Sequence, residues 1–195
     1  MTIVQVGTNK AIDSCQEFVK QNKDKIKNVY LIEPLSYYNS IIDSKYSFFS
    51  DVQIFNIAIV PTTEKSTIEI FHTKDLNRGG AHSSTSLNHL HAHKHNPSLI
   101  QSTQVSCMTL NDFFRKNSIN TCDRLYIDTE GMDCDILTSF ELNSFDVKYI
   151  EFEYIHSDGP FKTGEKFENC KKFLIEHNYS VSQIDKLNCV AKKCS

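Results

Sequence analysis

The stretch TIVQVGTN, residues 2–9, joins a run rich in β-branched residues to a glycine. β-Branched side chains favour strands, and glycine permits the positive φ angles of a tight turn out of a strand. Asp13 or Ser14 can cap a helix that we expect to continue to about Lys23. The segment therefore predicts a strand, a glycine turn and a helix, which is how an α/β fold begins.

Strand and helix patterns continue to alternate along the chain. We expect further strands at 29–32, 52–59, 67–71, 105–108, 124–127 and 147–155. We expect helices at 36–46, 110–116, 133–140 and 166–177, and a closing hairpin at 179–184 and 188–191. Alternating strands and helices form βαβ units, whose strands pair in parallel. The sequence predicts a mainly parallel sheet with one antiparallel strand from the C-terminal hairpin.

Residues 72–104 form the least regular segment, rich in Ser, Asn, His and Gly. A loop of this length inside a compact domain usually has a function. We therefore expect one domain over residues 1–195, with an irregular lid or substrate loop at about 72–104.

Composition narrows the class of protein. The 195 residues are 39% hydrophobic, enough for the core of one domain, and the net charge of -3 argues against a protein that coats nucleic acid. No apolar run approaches the roughly 18 residues that cross a bilayer, and the N-terminus lacks the pattern of a signal peptide. The seven cysteines include no C-x-x-C pair, which argues against a disulfide framework. We expect a cytoplasmic protein with neither nucleic acid nor membrane as partner.

Polar residues follow the first two predicted strands, where parallel sheets bind their ligands. Gly7 lets the backbone approach a ligand with free amides, although an ordinary turn explains it equally well. Glu33, followed by Pro34, ends the second strand, where a carboxylate can accept both hydroxyls of a ribose. The alternative for Glu33 is a carboxylate that caps a helix.

Asp128 and Glu130 lie in the sequence IDTEG, at the end of a predicted buried strand. Carboxylates are costly to desolvate there unless they bind something. They can orient a substrate hydroxyl, accept its proton or hold a divalent cation. The alternative is that they cap the following helix.

Glu151 and Glu153 alternate with aromatic residues along one predicted strand, which places both on one face. Together with Asp128 they are candidate ligands for Mg²⁺. His156 follows the strand and is a candidate general base, because the ordinary pKa of histidine lies close to neutrality. A surface histidine in a loop is the alternative for His156.

Four histidines alternate at positions 89, 91, 93 and 95, with His82 nearby. On an extended segment they would share one face and could bind zinc or copper. On a helix they would spread around its circumference. A polar lid or substrate loop is the interpretation that we favour for this stretch.

Several segments occur in an order that resembles the FkbM-type methyltransferases. They are VQVGTN at 4–9, LIEP at 31–34, NIAI at 56–59, SSTSL at 83–87, MTLND at 108–112 and YIDTEGMD at 126–133, and EFEY at 151–154 fits the strand that follows. The resemblance covers nearly the whole chain. It implies a Rossmann-like class I methyltransferase fold with a seven-stranded sheet, S-adenosylmethionine as donor, and usually O-methylation of a sugar or other small hydroxylated product.

Matching by position, the resemblance assigns roles to single residues. It implies that Gly7, Thr8 and Asn9 line the methionine end of the cofactor and that Glu33 holds the ribose, with Gln5 and Pro34 beside them. It places Asn56 and Ala58 near adenine. Asp128 and Glu130 would face the reacting centre. The sequence departs from the family pattern at Gln5, where an acid is common, and at Ala11, where a second glycine is common.

The sequence thus predicts an S-adenosylmethionine-dependent O-methyltransferase that acts on a carbohydrate or small-molecule hydroxyl. The catalytic candidates are Asp128, Glu130, Glu153 and His156, with Asp128 or His156 as the base, and Mg²⁺ at Asp128, Glu151 and Glu153 is an open alternative. Because the first strand starts the chain, the 72–104 loop or the second subunit of a homodimer is expected to close the site. The rival interpretations are a scaffold on a decayed methyltransferase fold, a nicotinamide-dependent oxidoreductase and an RNA-modifying methyltransferase.

Overall fold

The computed structural model describes residues 1–73 and 82–194. The first part of the chain contains β1 (Thr2–Val6), α1 (Ser14–Asn22), β2 (Asn28–Ile32), α2 (Asn39–Tyr46), β3 (Val52–Phe55), β4 (Ala58–Ile59), β5 (Thr67–Thr73) and α3 (Leu87–Ala92). The second part contains β6 (Ile100–Met108), α4 (Leu110–Lys116), β7 (Thr121–Cys122), β8 (Arg124–Ile127), α5 (Asp133–Ser139), β9 (Asp146–Val147), β10 (Tyr149–Glu153), α6 (Glu165–Glu176), β11 (Tyr179–Gln183) and β12 (Asn188–Lys193). Within these ranges, no helix is both long and apolar enough to cross a membrane.

Seven strands form the main sheet in the order β11-β12-β10-β8-β1-β2-β3. The pairs from β10 to β3 are parallel, and β12 runs antiparallel to both β10 and β11. This confirms the predicted α/β fold, a mainly parallel seven-stranded sheet with an antiparallel C-terminal hairpin.

Strand order reverses at β1, which pairs with β2 on one side and with β8 on the other. Where the connections from two neighbouring parallel strands run in opposite directions, a crevice opens beyond the carboxyl ends of the two strands. Residues that directly follow β1, β2 and β8 therefore border one crevice.

Helices cover both faces of the sheet, as the apolar character of its parallel strands requires. On β1, Ile3 faces α1 and α2, where it packs in a cluster with Val19 and Ile42. Val4, on the opposite face of β1, belongs to a larger cluster that includes Phe113 and residues of α5 and α6. Full burial of such a side chain contributes about 1.5–3 kcal/mol, so these two clusters hold the layers together.

Asp13 begins α1 as predicted. Its side chain accepts a hydrogen bond from the backbone amide of Gln16 at 2.9 Å, which satisfies one of the free amides of the first turn. A second hydrogen bond ties the cap to the sheet, because Gln5 Nε2 donates to Asp13 Oδ2 at 2.7 Å.

The prediction of one strand over 52–59 is wrong. The main-sheet strand ends at Phe55, and β4 instead pairs in parallel with β6 in a separate sheet of order β4-β6-β5. The side chain of Asn56 accounts for the break, since its Nδ2 donates to the carbonyl of Glu33 and to Oδ1 of Asn39, both at 2.9 Å. The strand predicted at 147–155 is also divided, into β9 and β10.

The prediction of an irregular segment over 72–104 is wrong in part, and residues 74–81 lie outside the described ranges. β5 continues to Thr73, α3 covers Leu87–Ala92, and β6 begins at Ile100. β5 and β6 pair antiparallel along their length, yet much of β6 is exposed and polar. The sequence therefore lacked the apolar alternation by which strands are recognised.

Gly7 brings three strand ends together. The amides of Gly7 and Thr8 both donate to the carbonyl of Ile32, and the amide of Asp128 donates to the carbonyl of Val6 at 2.9 Å. Gly7 has a φ of +81°, and a Cβ at this position would lie only 1.7 Å from the carbonyl oxygen of Asp128. The residue that follows β1 must therefore be glycine for β1 and β8 to end side by side.

We predict that Gly7→Ala lowers the free energy of unfolding by more than about 3 kcal/mol, because it adds a backbone collision to the strain of a positive φ. Gly159→Ala is the matched control, since Gly159 has a φ of +119° and no described atom lies within 4 Å of the added Cβ. The control should lose only about 1–2 kcal/mol. Urea unfolding measures both, and equal losses would contradict the collision.

Candidate functional site

A cleft lies beyond the carboxyl ends of β1, β2 and β8. We call it the Glu33 cleft. Its polar border includes Gly7, Asn9, Glu33 and Asp128, and its apolar border includes Ile57, Ile59, Ile70 and Met132. Its mixture of apolar and polar lining residues is typical of sites for small molecules.

Glu33 is almost fully buried at the end of β2, with 4% of its surface exposed. Its Oε2 accepts the amide of Asn9 at 2.7 Å, and its Oε1 accepts the amide of Leu35 at 2.9 Å. Burial raises the pKa of Glu33 to about 7, against the partial compensation of these two hydrogen bonds. Each oxygen keeps a further lone pair, so the carboxylate can accept two hydroxyls from a ligand.

A second cleft adjoins the first on the side of β10, and we call it the His156 cleft. Its lining includes Thr8, His82, His93, Glu153, His156 and Phe161. Asn9, Asp128 and Glu130 line both clefts. These three residues therefore stand where ligands in the two clefts would meet.

Four acids crowd the boundary between the clefts. Desolvation first, and then the charges of Glu130 and Asp133, raise the pKa of Asp128 well above its ordinary value, although its side chain remains open to solvent in the clefts. Desolvation and neighbouring carboxylates also raise the pKa values of Glu130 and Glu153. Desolvation raises the pKa of Asp133 to about 6, partly offset by hydrogen bonds from Thr129. Such a group of acids favours a cationic ligand.

Glu130 links the boundary to α3. It has a φ of +56°, its carbonyl accepts the hydroxyl of Ser84 at 3.0 Å, and its Oε2 lies 2.7 Å from Nε2 of His89. Burial lowers the pKa of His89 to about 4. The neutral imidazole of His89 therefore donates to Glu130 or accepts from its protonated form.

His156 is buried, and its Nδ1 accepts the backbone amide of Phe161 at 2.9 Å. In the neutral ring the proton must then lie on Nε2, which is 4.0 Å from Glu130 Oε2 and 3.9 Å from Glu153 Oε1. Burial, followed by the neighbouring His89 and His82, lowers the pKa of His156 to about 4. His156 is thus placed as a neutral donor towards the acids.

Most residues predicted from the sequence border one of the two clefts. Gly7, Asn9, Glu33, Pro34, Ala58, Asp128 and Glu130 line the Glu33 cleft. Thr8, Glu153 and His156 line the His156 cleft. The rule that ligands bind beyond the carboxyl ends of parallel strands therefore led to residues that line these clefts.

Two residues predicted to contact the cofactor lie behind the cleft. Gln5 contacts Asp13 and borders neither cleft, because alternation along β1 turns it towards α1. The side chain of Asn56 donates a hydrogen bond to the backbone carbonyl of Glu33 and does not line the cleft. Ala11 adopts a φ of +51°, so the loop keeps a conformation that favours glycine although glycine is absent there.

The predicted magnesium ligands do not come together as a set of three. Glu153 lies close to Asp128 and Glu130, whereas Glu151 accepts hydrogen bonds from Ser14 and Tyr149. The two glutamates share a face, but two residues of strand separate them by about 6.6 Å. Glu151 is therefore occupied on the α1 side of β10.

The sequence pattern did not predict part of the lining. Ser83, Ser84 and Thr85 border the Glu33 cleft, and Asp133 supports it by accepting hydrogen bonds from Thr129. The serines belong to the quoted segment SSTSL, but no periodicity placed that segment against the sheet. In the sequence His89 and His93 are only two members of an alternating row, whereas α3 brings these two to one side.

Comparisons with known proteins identify the fold and a matching family. The family model of the methyltransferase FkbM domain matches residues 5–181. The structure is similar to methyltransferase FkbM from Methylobacillus flagellatus KT, with 12% identity and a TM-score of 0.56 over 98% of this chain and 43% of that one. It is also similar to the Methanococcus jannaschii fibrillarin pre-rRNA processing protein, with 13% identity and a TM-score of 0.53 over 98% of this chain and 66% of that one.

A further similar structure is precorrin-6y C5,15-methyltransferase from Geobacter metallireducens GS-15, with 11% identity and a TM-score of 0.50 over 100% of this chain and 80% of that one. At these identities the likeness concerns the fold alone. No curated protein sequence gives a significant match to the chain.

The raised pKa of Glu33 predicts a pH-dependent loss of stability. Because its folded-state pKa of about 7 lies above the ordinary 4.5, ionisation opposes folding, and the resulting loss grows as pH rises from about 4.5 to above 7. The wild type should lose unfolding free energy between pH 5 and pH 8, and in Glu33→Gln this loss should be smaller by up to about 3 kcal/mol. Urea unfolding at both pH values measures this effect. Glu17→Gln, on the exposed side of α1, is the control, and an identical pH profile for all three proteins would contradict the assignment.

Proposed function

The chain belongs to the FkbM methyltransferase family, and we propose that it transfers a methyl group from S-adenosylmethionine to a hydroxyl of a carbohydrate or other small molecule. The observation that carries this proposal is the meeting of the two clefts at Asp128 and Glu130. One cleft holds a carboxylate suited to a ribose, and the other is polar and open to an acceptor. A methyl transfer needs two ligands aligned across one boundary.

The lining of the Glu33 cleft supports a site for the cofactor. Glu33 would accept the ribose hydroxyls, with its oxygens already oriented by the amides of Asn9 and Leu35. Ile57 and Ile70 offer apolar contacts for adenine. When bound, S-adenosylmethionine supplies an electrophilic methyl group on a positively charged sulfonium.

Asp128 is the base that we propose. It borders both clefts, so it can reach an acceptor hydroxyl that faces the Glu33 cleft. Its raised pKa suits it to take a proton, and a cationic cofactor beside it would restore the ionised form. His156 is a weaker candidate, because the amide of Phe161 leaves its proton on Nε2.

The His156 cleft supports a hydroxylated acceptor. Thr8, Glu153 and His156 offer hydrogen-bonding groups, and the half-exposed ring of Phe161 offers an apolar face at its rim. Sugars combine hydroxyls with apolar C–H faces, so this lining suits them. We therefore place the acceptor in the His156 cleft.

Removal of the Glu33 carboxylate should weaken cofactor binding. We predict that Glu33→Ala lowers the affinity for S-adenosylhomocysteine roughly 10- to 100-fold, because hydrogen bonds to a charged group contribute about 1.5–3 kcal/mol. Isothermal titration calorimetry measures the affinity, with Glu17→Ala as the control. Equal affinities of the two variants would show that Glu33 does not contact the cofactor. Absence of binding by the wild type would support the rival interpretation, a scaffold on a decayed methyltransferase fold.

Asp128→Asn should affect turnover rather than cofactor affinity. We predict a loss of at least about 100-fold in methyl transfer, the range of a positioned general base. The assay follows transfer of tritiated methyl from S-adenosylmethionine to a panel of methyl glycosides. S-Adenosylhomocysteine affinity should stay within about threefold of the wild type. Full activity of Asp128→Asn would exclude Asp128 as the base.

A further inference from the structure

Two histidines and a glutamate converge where α3 meets the boundary between the clefts. One ligand atom from each of His89, His93, Glu130 and His156 lies within 4.8 Å of those of the other three. We propose that His89, His93 and Glu130 bind a divalent transition-metal ion, with zinc as the best-suited ion. Imidazole nitrogens with one carboxylate oxygen are typical zinc ligands, whereas Mg²⁺ prefers oxygen ligands alone.

α3 places the two histidines on one side. His93 follows His89 by four residues and caps the helix, and its amide donates to the carbonyl of His89 at 3.1 Å. Residues four apart lie on the same face of a helix, and paired histidines at this spacing bind zinc in other helices. The ring centroids of His89 and His93 are 4.6 Å apart. His91, between them, is exposed and is not among the clustered residues.

His93 provides an independent indication that the cluster binds a ligand. Its Nε2 is buried and has no hydrogen-bond partner among residues 1–73 and 82–194. A buried polar atom without a partner costs free energy, and a metal ion would offset that cost. The ring is also held in place, since it stacks on His82 with centroids 3.9 Å apart, and Nδ1 of His82 lies 3.0 Å from Nε2 of His95.

A hydrogen-bonded pair of His89 and Glu130 is the alternative without metal. It satisfies those two residues but leaves Nε2 of His93 without a hydrogen-bond partner in the part of the chain that the structure describes. Zinc at about 2.1 Å from each ligand separates tetrahedral ligand atoms by about 3.4 Å. The 2.7 Å distance between His89 Nε2 and Glu130 Oε2 would therefore widen by about 0.7 Å, which small side-chain rotations accommodate.

His156 lies beside the ion rather than on it. The amide of Phe161 occupies Nδ1 of His156 and leaves the proton on Nε2, so this ring donates instead of ligating. Three protein ligands leave a coordination position open, as catalytic zinc sites do. His93, Glu130 and His156 all line the His156 cleft, so the open position would face the acceptor.

The role of the ion rests on the proposed function, whereas its binding does not. An acceptor hydroxyl oxygen bound to zinc has a lowered pKa and would release its proton to Asp128. The oxygen then forms a bond to the methyl carbon as the carbon–sulfur bond breaks, and the electron pair of that bond stays on sulfur. The ion would thereby select acceptors that can place a hydroxyl on the metal beside Glu130.

Zinc titration of the tag-free full chain tests the site without cofactor or acceptor. After treatment with a chelator and under reducing conditions, the wild type should bind one Zn²⁺ per chain against a chromophoric chelator. His89→Ala and His93→Ala should each weaken binding at least about tenfold, whereas His91→Ala should leave the affinity unchanged. Excess Mg²⁺ should not displace the ion.

Two results would overturn the proposal, namely weak sub-stoichiometric binding by the wild type, or equal zinc affinity in His93→Ala and His91→Ala. Far-UV circular dichroism verifies that each variant folds. If His89→Ala does not fold because His89 is buried, His93→Ala still tests the site, because His93 is only half-buried. Cobalt substitution gives a second readout, because Co²⁺ at this site should show d–d absorption that His93→Ala weakens. Failure of these tests would leave the binding of S-adenosylhomocysteine unaffected, so the two proposals fail separately.

Discussion

Three strands end within hydrogen-bonding distance of one another because residue 7 has no side chain. The amide of Gly7 donates to the carbonyl of Ile32 on β2, while the carbonyl of Asp128 after β8 occupies the space that a Cβ would need. The same turn directs the amide of Asn9 onto Glu33. Both clefts and the orientation of their central acids therefore depend on one close backbone approach.

Burying the acids at these strand ends costs desolvation free energy, and hydrogen bonds offset that cost to different extents. Glu33 receives two backbone amides, and Asp133 receives hydrogen bonds from Thr129. Glu130 and Glu153 instead lie near histidines that burial keeps neutral. Glu130 and Glu153, whose pKa values are raised, lie on the side where the acceptor and a metal ion are proposed, so a bound cation there would stabilise their ionised forms.

The small sheet and α3 do more than cover the crevice. Ser84 donates to the carbonyl of Glu130, and His89 contacts the side chain of the same residue. Ile70 on β5 and Ile59 on β4 border the Glu33 cleft. The segment between β3 and α4 thus supplies one wall of the site and couples the position of α3 to that of Glu130.

Local pattern in the sequence was enough to determine the fold class and the carboxyl ends of β1, β2 and β8. Apolar runs, the glycine at 7 and the acids at 33 and 128 are each encoded within a few residues, and parallel strands bring their carboxyl ends to one edge. Long-range pairing alone decided the rest. The exit of β4 to a second sheet depends on Asn56 reaching Glu33 and Asn39. The different surroundings of Glu151 and Glu153 depend on Ser14 in α1 and on the acids that follow β8. The convergence of His89 and His93 on Glu130 needs a helix where the sequence shows only alternating histidines. It also depends on a contact between His89 and Glu130, which lie 41 positions apart in the sequence, and a local pattern does not encode such a contact.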